Sequence, residues 1–190
     1  MVGQKRPFTP AQVKQIKRFL TAENRTRDLT LFSVGLDTML RGSDLLGLRV
    51  QDLVVSGKVK DRAHIKQQKT GKTVTVQLQP DTKALLLEFV EKEGKEPEDF
   101  LFTGRKQTGK PISLIQYSRL VKLLCHEIGL EPESFSTHSI RKTKPALIYD
   151  KTKNIEVCRQ ALGHSNCSAT SHYLGIDKNK ALDIAAEFVL

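Results

Sequence analysis

The sequence predicts a single, predominantly helical α+β domain over residues 1–190. Three observations carry this. Apolar residues recur at three- and four-residue intervals along most of the chain, KTVTVQL (Lys72–Leu78) alternates polar and apolar residues as a half-buried strand does, and no repeat or long Gly/Ser/Pro linker divides the chain. The length of 190 residues is about one domain's worth.

The elements follow in order. Residues 1–8 read as a basic N-terminal arm. Thr9-Pro10 supplies an N-cap and a first-turn proline, and Val13, Ile16, Phe19 and Leu20 continue the helical spacing. A second helix is expected from Asp28 towards Leu40, with Gly42 as its C-terminal cap and Ser43 capping a short turn, Asp44–Leu48. The period then shortens to two. Val54-Val55, Ala63–Gln67 and Thr73–Leu78 read as strands of a small antiparallel sheet, and KTGK (Lys69–Lys72) supplies the turn between two of them. Helices resume at Pro80–Glu93, after Ser113, from Thr137 to about Asp150, and from Asn154 to Leu162 with Gly163 as the stop. The tail 177–190, with Ala181, Leu182, Ala185, Phe188 and Val189 apolar, reads as a C-terminal helix.

Charge narrows the partner. The chain has 31 Lys+Arg against 21 Asp+Glu, a formal net charge of +10, which points to a polyanion. Stretches such as Leu31–Leu36 are far shorter than the roughly 18 to 20 apolar residues of a membrane-spanning helix, so no membrane partner is expected. The N-terminus MVGQKRPFTP has no apolar signal region, and three cysteines, an odd number, suit free thiols, so the expected location is the cytoplasm. Cys158, His164, Cys167 and His172 could offer zinc ligands, but their spacing matches no common zinc pattern and no metal is expected.

One motif misleads. Gly104–Lys110, GRKQTGK, has the spacing of a phosphate-binding P-loop, but Pro111 stands where the magnesium-binding hydroxyl is needed and lacks the N–H that a helix N-terminus would offer. An exposed basic hairpin or loop is expected instead.

The C-terminal half is more informative. His138 and Arg141 form H-x-x-R behind the Ser136-Thr137 cap, so both lie near a helix N-terminus, where free N–H groups and partial positive charge favour an anion. Leu162-Gly163-His164 ends the next helix, and Tyr173 follows nine residues later. With these in view, the sequence resembles the tyrosine recombinases of the phage-integrase type over nearly the whole chain. MLRGSDLLGLRVQDL resembles the first-arginine box, with Arg41 as its arginine and Asp44 as the acidic residue. KTGK places Lys69 as the hairpin lysine, HSIRKT matches through His138 and Arg141, LGHSN places His164, and SHYLGI places Tyr173 as the nucleophile.

The resemblance implies a catalytic domain that breaks and rejoins DNA strands through a 3′-phosphotyrosyl intermediate. Two arginines, always charged, present planar forks of donors to a phosphodiester that gains negative charge as it is attacked. Tyr173 is the expected nucleophile, Lys69 the general acid for the departing 5′-hydroxyl, and His138 and His164 assist the clamp of Arg41 and Arg141. Asp44 is expected to orient Arg41 or a histidine. The arginines, lysine and histidines supply all the positive charge, so no metal or other cofactor is expected. The alternative is a DNA-binding or regulatory module of the same fold without recombinase activity.

Double-stranded DNA is the implied partner, with four protomers for complete strand exchange; the resemblance implies a 177–190 helix exchanged between neighbours, and the alternative is that it packs onto its own core. Most family members carry a separate N-terminal domain that embraces the DNA. None is expected within these 190 residues, which leaves room for an accessory DNA-binding protein.

Overall fold

Thr9 and Gln12 close the first helix of the computed structural model, α1 (Pro10–Ala22), by a reciprocal capping box: each backbone N–H donates to the other's side chain. The structure describes residues 5–104, 107–163 and 166–174. His164, Met1–Gln4 of the arm and the expected 177–190 helix lie outside the described residues. The described arm is bolted down: Phe8 is buried, stacks on Phe135 at 4.7 Å and meets Phe32 edge-on, while its N–H donates to Thr143 Oγ1.

Helix α2 (Thr26–Thr38) is the centre of the molecule and is buried on nearly all sides, from Asp28 and Leu31 through Phe32, Val34 and Asp37. It ends at Met39, which takes the left-handed conformation (φ 53°). Gly42 is therefore not its cap, contrary to the expectation. It opens α3 (Gly42–Leu46) behind Arg41 as N-cap, and Ser43 lies inside that helix.

The short α4 (Val50–Leu53) leads into β1 (Val54–Val55), which pairs with β2 (Lys58–Val59). Strands β3 (Ala63–Lys66) and β4 (Thr73–Val76) form the hairpin expected around KTGK, antiparallel with Ala63 opposite Val76. A third pair, β5 (Thr103–Gly104) with β6 (Gln107–Pro111), occupies the P-loop-like stretch. Pro111 is a strand residue and no helix begins there, which removes the nucleotide-binding reading. The described sheet is thus three two-stranded antiparallel pairs.

Between these hairpins lies α5 (Pro80–Lys92), which packs on α2. Helix α6 (Leu114–Glu127) starts at a second capping box, Ser113 with Gln116, and buries Tyr117, Leu120, Val121 and Leu124. A 3₁₀ turn at 132–134 precedes α7 (Thr137–Thr152), capped by Ser136 Oγ on the His138 N–H. Helix α7 runs unbroken through Pro145, whose carbonyl accepts the buried Cys158 thiol. Helix α8 (Ile155–Leu162) ends at left-handed Gly163 (φ 66°), and α9 (Cys167–Leu174) carries Tyr173. No described helix is long and apolar enough to cross a membrane.

Candidate active site

Three elements converge on Arg141. The first turns of α7 present it inward, so that a charged side chain is only 3% exposed. Its Nη2 donates to Leu162 O, at the end of α8, at 3.4 Å. Its Nε and Nη1 are buried without a hydrogen-bond partner. Burying such donors unused is costly, on the order of 1–3 kcal/mol, more for a charged group, and a guanidinium cannot escape by losing its proton. An acceptor with at least two oxygens would satisfy such donors.

Tyr173 on α9 meets this cation. The Arg141 guanidinium lies 5.8 Å from the Tyr173 ring centroid, and Lys142 Nζ lies 5.1 Å from it. Burial pushes the Tyr173 hydroxyl well above the usual phenol range, while Arg141 and Arg41 pull it back. A protonated phenol beside two arginines is stabilised as phenolate only when it begins to lose its proton, as a nucleophile must.

Arg41 enters from the N-cap of α3, half-buried, with Nη1 donating to Gln67 Oε1 at 2.9 Å. Its charge is also felt at His138, Arg141 and Tyr173. His138, on the outer side of the α7 N-terminus, is held below the usual imidazole range first by burial and then by Arg141, Lys142 and Arg41.

Asp44 anchors the β3–β4 turn: its Oδ1 accepts the Gln68 backbone N–H at 2.8 Å, and it lies close enough to Arg141 to favour that cation. Lys69 sits on that turn, exposed, two residues beyond Gln67. Arg41, His138, Arg141 and Tyr173 thus form one cluster, and Lys69 lies on an adjoining hairpin. His164 directly follows Gly163 in sequence but lies outside the described residues.

Two residues of the site were not anticipated. Gln67 is 2% exposed, directly after β3 and in phase with inward-facing Ala63 and Ile65, and the signal was a polar residue at an apolar phase. Lys142 is 7% exposed; its Nζ donates to the Lys5 carbonyl of the arm at 3.3 Å, and nothing in its sequence context distinguishes it from a surface lysine. Other titratable groups lie apart. His64 is exposed beside Thr75, His126 is exposed beside Glu127, Tyr117 is buried in the core, and Tyr149 is half-buried near Lys153. Cys158 and Cys167 have separate neighbours, Pro145 O and Glu156 Oε2.

Comparison with known proteins agrees with this geometry. The phage integrase family model matches residues 6–180. A probable integrase/recombinase, YoeC of Bacillus subtilis (strain 168), is 34% identical over 168 residues, covering 88% of this chain and 87% of that protein. A tyrosine recombinase of Pseudothermotoga lettingae is 29% identical over 174 residues, 92% of this chain and 57% of the relative. Beyond YoeC, the chain spans about half the length of the curated relatives it matches. In fold, it superposes on XerH site-specific recombinase bound to its difH substrate with a TM-score of 0.74 at 21% identity, covering 96% of this chain and 54% of that one. XerA recombinase gives 0.75 at 16%, covering 97% and 64%. One buried and one half-buried arginine lie beside a helix-borne tyrosine on a fold shared with these enzymes, and the family match over residues 6–180 places the chain in the phage integrase family of tyrosine recombinases.

Proposed function

We propose that this chain cleaves and rejoins double-stranded DNA, with Tyr173 as nucleophile. The observation that carries the reading is the buried Arg141, beside the Tyr173 ring and with more N–H donors than Leu162 O and the Tyr173 hydroxyl can take. A phosphodiester entering between Arg141 and Arg41 satisfies those donors. Tyr173 Oη passes its proton to water as it attacks phosphorus, the P–O bond to the 5′-oxygen breaks, and the departing oxygen takes a proton from Lys69. The two arginines stabilise the extra charge on the non-bridging oxygens; losing one such donor costs on the order of 10²–10³ in rate.

The phosphotyrosyl ester keeps the energy of the broken bond. A DNA 5′-hydroxyl then attacks it, and the phenolate leaves more readily than an alkoxide would. His138, and His164 from the family resemblance, add donors to the same phosphate. On this reading complete strand exchange takes four copies, with the 177–190 segment passing between neighbours.

The test is direct. The protein is incubated with supercoiled plasmid, and with nicked duplexes from which a cleaved strand escapes, in EDTA without ATP. A denaturation-resistant protein–DNA adduct is expected, mapping to a defined phosphate and absent with Tyr173→Phe. Binding without adduct on any DNA would instead support a DNA-binding module of the same fold.

A further inference from the structure

Gln67 is a buried amide where an apolar side chain would cost no desolvation. The inward phase of β3, Ala63 and Ile65, continues one step past the strand's end to Gln67, while His64, Lys66 and then Gln68 face outward. Hydrophobic packing alone favours Val or Leu at such a position. Instead Gln67 Oε1 accepts from Arg41 Nη1 at 2.9 Å and from Thr70 Oγ1 at 2.8 Å. The assignment of oxygen to this end of the amide is forced, because a guanidinium only donates.

The Gln67 backbone is committed to the same turn. Its N–H donates to Lys72 O at 2.8 Å, and its carbonyl accepts from Gly71 N at 2.9 Å, so residues 67–72 close one loop with Lys69 at its tip. The amide nitrogen end faces the stop of α8, where a Cβ on Gly163 would lie 3.9 Å from Nε2. One side chain therefore hydrogen-bonds the first arginine and the lysine turn and faces the stop of α8.

We propose that Gln67 is a positioning residue that registers the Lys69 turn against the Arg41 guanidinium, so that Lys69 reaches the departing 5′-oxygen of the phosphate that Arg41 holds. This rests on the reading of Lys69 as the general acid. Thr70 is the second half of the device: its hydroxyl ties the turn to the oxygen that holds Arg41. Misplacing a reacting group by about 1 Å can cost on the order of 10²-fold, so a loose turn is expected to be felt in the leaving-group step alone.

The test uses two duplexes containing the phosphate mapped by adduct formation, one with the ordinary 5′-oxygen and one with a bridging 5′-sulfur, whose thiolate departs without a proton. Single-turnover cleavage is measured for wild type, Lys69→Ala, Gln67→Met and Thr70→Val. Gln67→Met is near-isosteric, and Thr70 is exposed, so its variant does not disturb the core.

On ordinary DNA, Gln67→Met should be slowed about 10- to 100-fold and Thr70→Val several-fold. On the sulfur duplex all three variants should return to within about threefold of wild type. Equal losses on both duplexes for Gln67→Met would mean that it acts through Arg41 or through folding, and would overturn the proposal. So would wild-type rates for both Gln67→Met and Thr70→Val on ordinary DNA. If wild type forms no adduct, or Lys69→Ala is not rescued by sulfur, the underlying reading fails and takes this one with it.

Discussion

His138 shows how a neighbouring charge sets a residue's behaviour. Burial first, then Arg141, Lys142 and Arg41, hold its pKa below the ordinary imidazole value of 6.5. A DNA phosphate entering among those cations reverses the electrostatic part, so the imidazole gains a proton on binding. A group with a higher pKa in the complex than in the free protein makes affinity rise as pH falls through the interval between the two values. Fluorescence anisotropy with a labelled duplex at fixed ionic strength should show wild-type affinity rising about two- to fivefold from pH 8 to pH 6, below the tenfold per unit of a fully linked proton. The rise should be smaller in His138→Gln; identical slopes would remove His138 from the phosphate site. Among single residues, those with fixed spacing were legible in the sequence, since H-x-x-R behind a cap puts two side chains at one helix end. Gln67 and Lys142 were not. Their importance depends on what a distant segment brings to them: Arg41 for Gln67, Tyr173 and Lys5 for Lys142.

Helices with caps and one apolar face were readable, as α1 and α6 show: capping boxes mark their starts, and Ile16, Leu20, Tyr117 and Leu124 sit at helical intervals. The ends of α2 were not, because a helix buried on nearly all sides has little amphipathic contrast and its stop falls on Met39 in a conformation usually given to glycine. Helix α7 buries Ser139, Arg141, Lys142 and Thr143, so it was legible by its cap and motif and not by hydrophobic period. The α8 stop is the element on which the site is most exposed to error. Gly163 has φ 66°, and a Cβ there would lie 2.5 Å from Val74 Cγ1 on β4. Gly163→Ala should therefore destabilise the protein by about 2–3 kcal/mol, roughly 1 from the left-handed backbone and the rest from overpacking against the hairpin. Urea unfolding measures this, and adding Val74→Ala should recover the packing part. A single-variant loss under about 0.5 kcal/mol would show that α8 does not press on the hairpin as described.

At the scale of the whole molecule, a net charge of +10 has two separable consequences. A few cations are buried at one phosphate: Arg141 and Lys142 are nearly inaccessible, and Arg41 is half-buried. Their contribution is geometric and weakly screened. Most of the remaining Lys and Arg are surface groups, whose attraction to DNA acts through displaced counterions and falls steeply with salt. Binding and chemistry should then part company as ionic strength rises. For about four phosphates neutralised, the slope of log K against log salt is near −4, so raising salt from 50 to 200 mM should weaken duplex binding on the order of 10²-fold. The cleavage rate at saturating DNA should change less than about threefold over the same range, because the groups that meet the reacting phosphate are shielded from mobile ions. Titrating a labelled duplex while following adduct formation at saturation measures both. A cleavage rate that falls in step with affinity would place the reacting phosphate among the surface charges, outside the buried cluster of Arg141 and Tyr173.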